Sequence, residues 1–111
     1  SPHLVRYVVG LAARAPSEVW TDGLAGLMEM DLRHAVQHIA VPALVLVGEQ
    51  DRMTPPASSV ALAGELPQGR LEVIERAGHF PMMEAHEEFN RRLAPFADGV
   101  LRPRRSRRKS A

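Results

Sequence analysis

Cysteine is absent from the 111 residues of this chain, which excludes disulfide bonds and cysteine-based metal sites. Long apolar runs are also absent: none approaches the roughly 20 residues that a membrane-spanning helix requires. Residues 1–10 lack the basic start and long apolar core of a signal peptide. These absences predict a cytoplasmic protein with no membrane partner. The chain begins at Ser1 rather than at methionine, and we expect it to derive from a longer protein.

The charge of the chain is unevenly distributed. The hydrophobic fraction of 45% is ordinary for a globular protein, and the formal net charge is +1. Residues 1–101 carry 8 basic against 13 acidic residues, whereas residues 102–111 hold six basic residues and no acidic one. Because like charges repel and this segment has little apolar surface to bury, we expect residues 102–111 to be a disordered, solvated tail. Nucleic acid or anionic lipid is the alternative, less favoured partner of this tail.

The first third of the chain has the pattern of helices. Apolar residues recur every three or four positions over residues 2–14 and again from Ser17, a candidate N-cap, to about residue 30. Asp31 is a candidate cap for a short third helix over residues 32–37. This part of the chain is therefore predicted to be entirely helical.

Two short strands are predicted in the middle of the chain. Residues 43–47 form a continuous apolar and partly β-branched run, which is typical of a strand buried on both faces. Residues 71–75 have a similar pattern, and we expect Leu71, Val73 and Ile74 to be buried. The two strands together predict a parallel sheet.

Each strand is followed by a predicted helix. Prolines open the first helix, which covers residues 57–65 and should bury Val60, Ala61 and Leu62. The second helix covers residues 84–97, and Pro95 should strain its last turn. Its packing face is predicted to hold Phe89, Leu93 and Phe96. Strand, helix, strand and helix in this order make a βαβ unit with a covering helix.

The end of each strand leads into a loop with one reactive side chain, Asp51 in the first and His79 in the second. Parallel strands joined by a crossover place their carboxyl ends at the same edge of the sheet, so we expect these residues to be neighbours. A carboxylate bonded to one imidazole nitrogen lets the other nitrogen take a proton from a hydroxyl group. Asp51 and His79 are therefore candidates for the acid and base of a catalytic triad. A turn-forming aspartate and an ordinary loop histidine are the alternatives.

The same loops resemble two motifs of the α/β-hydrolase family. Residues 48–55 (GEQDRMTP), which follow Val41-Pro42 and the first strand, resemble the segment that carries the acid in that family. Residues 77–81 (AGHFP), with Glu84 and Phe89-Asn90 after them, resemble its histidine loop and final helix. The acid precedes the histidine, as in the family's order of nucleophile, acid and histidine.

The resemblance covers roughly residues 39–97 and implies the C-terminal part of an α/β-hydrolase fold. Residues 1–38 would then be the end of a helical lid with its connecting helix. Residues 39–101 would be a part of the core with two parallel strands and covering helices. By the same resemblance Asp51 is the triad acid and His79 the triad base of a hydrolase similar to esterases and enol-lactonases. The substrate implied is an ester, a lactone or a similar small carbonyl compound, and no metal or organic cofactor is implied.

Several apolar residues flank the proposed site. Phe80 and Met82 either border the substrate or pack between helix and sheet. His86 stands at a helix start where many members of the family have proline, and we expect no catalytic consequence. Three residues of the helical region are candidates for an acyl or ring pocket or, as we prefer, for a core: Trp20, Met28 and Met30.

The chain has no Gly-x-Ser-x-Gly motif, which in the family presents the nucleophile on a tight turn. Ser58 and Ser59 fall at a helix start, and Thr54 is expected beside the acid loop rather than opposite the histidine. The amides of an oxyanion hole are missing as well. We therefore expect this polypeptide alone to be inactive. The alternatives are a parent with an aspartate nucleophile, as in haloalkane and epoxide hydrolases, and a non-catalytic scaffold or interaction module.

Overall fold

The computed structural model describes residues 2–102, which form a two-stranded parallel sheet with helices before, between and after the strands. All but the first residue of the predicted basic tail lies outside this range. Three helices open the chain: α1 is Pro2–Ala12, α2 is Ser17–Glu29 and α3 is Arg33–Val36. Within residues 2–102, no helix has the length and apolar character needed to cross a bilayer.

The three opening helices confirm the predicted helical region, but the start of α2 differs from the prediction. Ser17 is the first residue of α2 rather than its N-cap, because the carbonyl oxygen of Pro16 already accepts two amides of the first turn. Asp31 lies just before α3, and its Oδ1 accepts the amide of Arg33 at 3.1 Å. The N-cap of α3 is Leu32 and not Asp31 as predicted, and α3 is shorter than the predicted helix over residues 32–37, although Asp31 does bond the first amide of α3.

The sheet consists of β1 (Ala43–Gly48) and β2 (Gly69–Ile74), which pair in parallel along their whole length. β1 ends one residue later than predicted, and β2 begins two residues earlier and ends one residue earlier. Ile74 is fully buried as predicted and Leu71 is half-buried, whereas Val73 stays 36% exposed. Because side chains alternate between the faces of a strand, Val73 points away from the face that buries Ile74.

The crossover helix α4 (Pro56–Glu65) packs on both strands. Its packing face is not the predicted one, since Val60, Ala61 and Leu62 are exposed. Four residues at helical spacing are half-buried instead: Pro56, Ser59, Ala63 and Leu66. Two of these four residues, Ser59 and Ala63, are small, whereas Val60 and Leu62 point outward.

The predicted closing helix is divided into α5 (Pro81–Glu84) and α6 (His86–Leu101). The break falls at Ala85, whose backbone angles of φ −139° and ψ 51° are not helical. Pro95 lies inside α6, which continues to Leu101, four residues beyond the predicted end. The helix tolerates Pro95 although proline lacks the amide that would bond the carbonyl one turn earlier.

The buried residues of the described chain lie together at and beyond the carboxyl ends of the strands: Val47, Gly48, Asp51, Ile74, Ala77 and Pro81. Packing is looser elsewhere. On α6, Phe89 and Phe96 are half-buried, but Leu93 is exposed, so the predicted packing face is covered only in part. On the opening helices, Val5 is 62% exposed and Leu27 is 61% exposed. The core of residues 2–102 is therefore small and lies where the two strands pass into the two loops.

Gly48 ends β1 at the point where the chain beyond β2 passes against it. A Cβ atom at this position would overlap the carbonyl oxygens of Ala77 and Gly78. The amide of Gln50 donates to the carbonyl of Ala77 at 2.9 Å, which holds this contact in place. The missing side chain of Gly48 therefore sets how closely the two loops approach.

The 111-residue chain by itself is expected to aggregate or to unfold without a cooperative transition. Its radius of gyration is 18.1 Å, whereas a compact domain of this length has about 13 Å. Within residues 2–102 each strand has only one partner, so an edge of each strand leaves backbone donors and acceptors unpaired. Circular dichroism during heating, with light scattering, tests this expectation. A cooperative thermal transition from a monomer would show that it is wrong.

Replacing Gly48 with alanine is expected to destabilise the complete protein by about 1–3 kcal/mol, the usual cost of overpacking. The carbonyl of Ala77 cannot move away without lengthening its hydrogen bond to Gln50. Gly64→Ala in α4 is the matched control, because a Cβ there meets nothing within 4 Å. That substitution should be neutral or stabilising by up to about 1 kcal/mol. Urea denaturation compares the two variants, and an equal loss of stability would contradict the steric explanation.

Candidate active site

The loop after β1 is folded around the carboxylate of Asp51. Oδ1 of Asp51 accepts the amide of Met53 at 2.9 Å and the amide of Thr54 at 3.0 Å. A short acidic side chain that accepts amides a few residues ahead is a common turn-forming group. The Asp51 side chain is only 4% exposed. Turn formation, the alternative role for this aspartate, is therefore one of its functions, and it fixes the carboxylate within its own loop.

The loop after β2 is bonded to the loop after β1. The amide of Glu49 donates to the carbonyl of Ile74 at 2.9 Å, and the carboxylate of Glu49 accepts the amide of Arg76 at 3.1 Å. Arg76 adopts a left-handed φ of 57°, which is uncommon for a residue with a side chain. This turn directs the chain back across the sheet edge and brings His79 over Asp51.

Asp51 and His79 are neighbours, as the topology predicts. His79 Nδ1 lies 2.9 Å from Asp51 Oδ2, and the histidine side chain is 33% exposed. When Nδ1 carries the proton that faces the carboxylate, Nε2 is an acceptor. Nε2 makes no hydrogen bond within residues 2–102. The pair can therefore accept a proton at Nε2 from a group on the open side of the ring, with the carboxylate stabilising the resulting charge.

The surroundings of Asp51 favour its ionised form. Burial raises the pKa of the carboxyl group, but hydrogen bonds from His79, Thr54 and Met53 outweigh burial and hold that pKa well below its usual range. Asp51 is consequently a carboxylate at every pH near neutrality. It can accept a hydrogen bond from the imidazole whether His79 is neutral or charged.

Thr54 is a third member of this cluster that the sequence did not reveal. Its hydroxyl donates to Asp51 Oδ2 at 2.9 Å and lies 3.3 Å from His79 Nδ1. It lies beside the acid loop, as expected, and it faces Nδ1 of His79 and not Nε2. The available signal was the Asp-x-x-Thr spacing just before two prolines, where both side chains serve the same turn.

Glu84 is a second residue that sequence reasoning left without a role. It ends α5, and its carboxylate accepts the amide of Gly78 at 2.8 Å and the amide of Phe80 at 3.0 Å. These two amides lie on either side of His79. Glu84 is among the residues that carry the family resemblance, but a contact with backbone amides leaves no pattern of its own in the sequence.

The two residues predicted to border a substrate lie in different places. The ring centroid of Phe80 lies 5.1 Å from that of His79, in an edge-on arrangement at 69°. Phe80 and Glu84 line a groove of about 300 Å³ together with four residues of α1: Leu4, Val5, Val8 and Val9. Met82 is 46% exposed on α5 and does not line this groove. Of the two, only Phe80 is placed beside the pair.

The other candidates from the helical region lie outside the cluster around Asp51. Trp20 is 48% exposed, and its Nε1 donates to the carbonyl of Ala12 at 3.0 Å, which ties α2 to the end of α1. Met28 is 88% exposed and Met30 is 53% exposed, so within residues 2–102 none of these three residues has the preferred core role. In the part of the chain that the structure describes, no group of three or more histidine, aspartate or glutamate residues could hold a metal ion.

Replacing Thr54 with valine is expected to raise the pKa of Asp51 toward its usual range. The carboxylate loses a donor to its charged form, while the burial that opposes ionisation stays. A pH titration of the Asp51 side-chain carboxyl by ¹³C NMR in the complete protein measures the change. Thr21→Val is the matched control, because the Thr21 hydroxyl bonds only the carbonyl of Ser17 within α2. An unchanged titration of Asp51 would show that the Thr54 hydroxyl contributes nothing.

Comparison with known proteins adds to this geometry. The sequence profile of the alpha/beta hydrolase fold matches residues 4–86. Pimeloyl-(acyl-carrier protein) methyl ester esterase of Neisseria meningitidis serogroup A is 32% identical over 96 residues, covering 86% of this chain and 31% of the relative. The 3-oxoadipate enol-lactonase 2 of Acinetobacter baylyi is 32% identical over 90 residues, covering 81% of this chain and 33% of the relative.

Solved structures agree with these sequence matches. A thermophilic esterase from Thermogutta terrifontis superposes with a TM-score of 0.62 at 34% identity, over 63% of this chain and 26% of that one. The chain spans about a third of the length of the curated relatives named above. The range matched by the profile contains both strands, α4 and the two loops that meet at Asp51 and His79. The chain therefore belongs to the alpha/beta hydrolase fold family.

Proposed function

We propose that this chain is the C-terminal portion of a serine-type α/β-hydrolase, with Asp51 as the acid and His79 as the base of its triad. The observation that carries the proposal is the 2.9 Å hydrogen bond between a buried carboxylate and Nδ1 of a partly exposed imidazole whose Nε2 has no hydrogen-bond partner within residues 2–102. The two residues are 28 positions apart and meet at the sheet edge where parallel α/β folds carry their sites.

In the proposed reaction, a serine outside this chain attacks the carbonyl carbon of the substrate while Nε2 of His79 takes the hydroxyl proton. Asp51 holds the imidazole in the tautomer that leaves Nε2 open, and it stabilises the imidazolium that forms. The imidazolium gives its proton to the departing alkoxide. Nε2 then takes a proton from water as the water oxygen attacks the acyl carbon. The bond between the acyl carbon and the serine oxygen breaks, the imidazolium returns the proton to that oxygen, and the acid is released.

We do not assign the nucleophile to Thr54, Ser58 or Ser59. Ser58 and Ser59 lie inside α4 and not on a strand-to-helix turn that exposes a nucleophile. Thr54 faces Nδ1 of His79, the nitrogen already engaged by the carboxylate. Because the chain spans about a third of its relatives, we assign the nucleophile and the oxyanion hole to the remaining two thirds.

The proposed substrate is a small ester or lactone. The relatives that cover most of this chain include a methyl ester esterase and an enol-lactonase, which supports carbonyl substrates of this kind. An aspartate in place of the serine would direct the same pair toward haloalkane or epoxide hydrolysis through an alkyl-enzyme ester. The residue at the nucleophile turn therefore decides between these two chemistries.

In the complete protein, Asp51→Asn is expected to lower kcat by about ten-thousand-fold, because the imidazole loses the partner that selects its tautomer. His79→Gln removes the base and should cost at least as much. His86→Gln is the matched control, since His86 begins α6 and makes no hydrogen bond to either residue of the pair. Hydrolysis of p-nitrophenyl and methyl esters measures the rates, and a serine-directed fluorophosphonate reports the nucleophile.

Two outcomes would contradict the proposal. Full ester hydrolysis by Asp51→Asn and His79→Gln would show that the pair does not act as acid and base. If the unmodified protein showed no ester hydrolysis and no fluorophosphonate labelling, that result would instead favour an aspartate nucleophile or a non-catalytic scaffold. The 111-residue chain alone is expected to be inactive in the same assays.

A further inference from the structure

The carboxylate of Glu84 holds the backbone on both sides of His79. Oε2 accepts the amide of Gly78 at 2.8 Å, and Oε1 accepts the amide of Phe80 at 3.0 Å. Neither amide donates to a backbone carbonyl within residues 2–102. The two oxygens of one side chain therefore satisfy two donors that flank the histidine, as a bidentate acceptor.

The surrounding backbone makes this contact rigid. The carbonyl of Phe80 accepts the amides of Met83 and Glu84, both at 2.9 Å, so Phe80 is bonded to Glu84 in both directions. One of these two bonds joins backbone to backbone, and the other joins the Phe80 amide to the Glu84 side chain. The loop that carries His79 and helix α5 consequently form one closed turn.

Gly78 gives an independent indication that the carboxylate belongs in this position. A Cβ atom on Gly78 would lie 3.1 Å from each of the two carboxylate oxygens of Glu84, tighter than an ordinary contact. The missing side chain leaves the space that the carboxylate occupies. The sequence thus combines a glycine before the histidine with an acidic residue five positions after it, and the two fit each other.

Positioning matters here because His79 has few other constraints. Its side chain is 33% exposed, and its loop has no helix or strand of its own. Among the described residues its ring nitrogens contact only Asp51 and Thr54, both through Nδ1. The direction in which Nε2 points therefore depends on the backbone at residues 78–80, which Glu84 holds.

We propose that Glu84 is a positioning residue that fixes the imidazole of His79 against Asp51 by bonding the amides on either side of it. The inference rests on the proposed role of His79 as the base. Glu84 acts through the backbone, and no hydrogen bond joins it to the imidazole. Glutamine in its place offers one acceptor and would leave one amide without a partner, and alanine would leave both without one.

The test follows the Nδ1 proton of His79 by ¹⁵N-histidine NMR in the complete protein, together with hydrogen exchange of the Gly78 and Phe80 amides. In Glu84→Ala both amides should exchange about 10-fold faster or more, as for a lost hydrogen bond to a charged group. The Nδ1 proton resonance should broaden or disappear. Glu84→Gln should give an intermediate result, and it serves as the second variant if the alanine substitution prevents folding.

Glu87→Gln is the matched control, because it makes the same change of charge in the first turn of α6. Within residues 2–102, Glu87 makes no hydrogen bond or ion pair, so the control should leave all three signals unchanged. A Glu84 with only a structural role would lower the thermal midpoint but leave the Nδ1 resonance of the folded protein intact. That result, or protected amides in Glu84→Ala, would overturn the proposal.

The NMR measurement is independent of turnover. If the complete protein hydrolyses no ester, the Nδ1 resonance still reports whether Glu84 positions the imidazole, so the two proposals fail separately. If the protein is active, Glu84→Gln should lower kcat by about 10-fold with KM nearly unchanged, as expected when an interaction of the reacting group is weakened but substrate binding is not.

Discussion

The close approach of the two strand ends is the constraint on which the site depends. β1 and β2 pair in register up to Gly48 and Ile74, so both loops leave the sheet at the same level. Gly48 has no side chain, and the carbonyls of Ala77 and Gly78 occupy the space where one would lie. Only at this separation can a short aspartate side chain reach the imidazole nitrogen of His79 at 2.9 Å.

The sequence predicts the elements and the meeting of the two loops because these depend on strong local signals. An apolar, β-branched run ended by glycine indicates a buried strand, and parallel topology then brings Asp51 and His79 to one edge. The sequence does not predict which face of α4 packs on the sheet. The prediction selected the larger apolar residues, but the face that is half-buried contains Ser59 and Ala63. The break at Ala85 likewise follows from the turn closed by Glu84, a contact between side chain and backbone.

Thr54 and Glu84 illustrate a second limit of sequence reasoning. A search for reactive groups selects Asp51 and His79, whose chemistry is visible in their side chains. Thr54 and Glu84 matter through what they bond: a carboxylate already in use and two backbone amides. Every residue except proline has such an amide, so no residue type marks the place where a supporting carboxylate is needed.

Asp51 and His79 differ in how much of their placement the fold alone explains. Asp51 has a sufficient structural role, because its carboxylate satisfies the amides of Met53 and Thr54 and closes the turn before α4. His79 has no comparable role. Its ring bonds the loop through Nδ1 only, it remains 33% exposed, and Nε2 has no partner within residues 2–102. Any hydrogen-bond donor could take the place of His79 Nδ1 at Asp51 Oδ2. An imidazole in that place also carries a second, basic nitrogen, Nε2. The buried carboxylate thus has a role in the fold whether or not it takes part in catalysis, whereas the proposed role of His79 rests on a ring nitrogen that has no hydrogen-bond partner within residues 2–102.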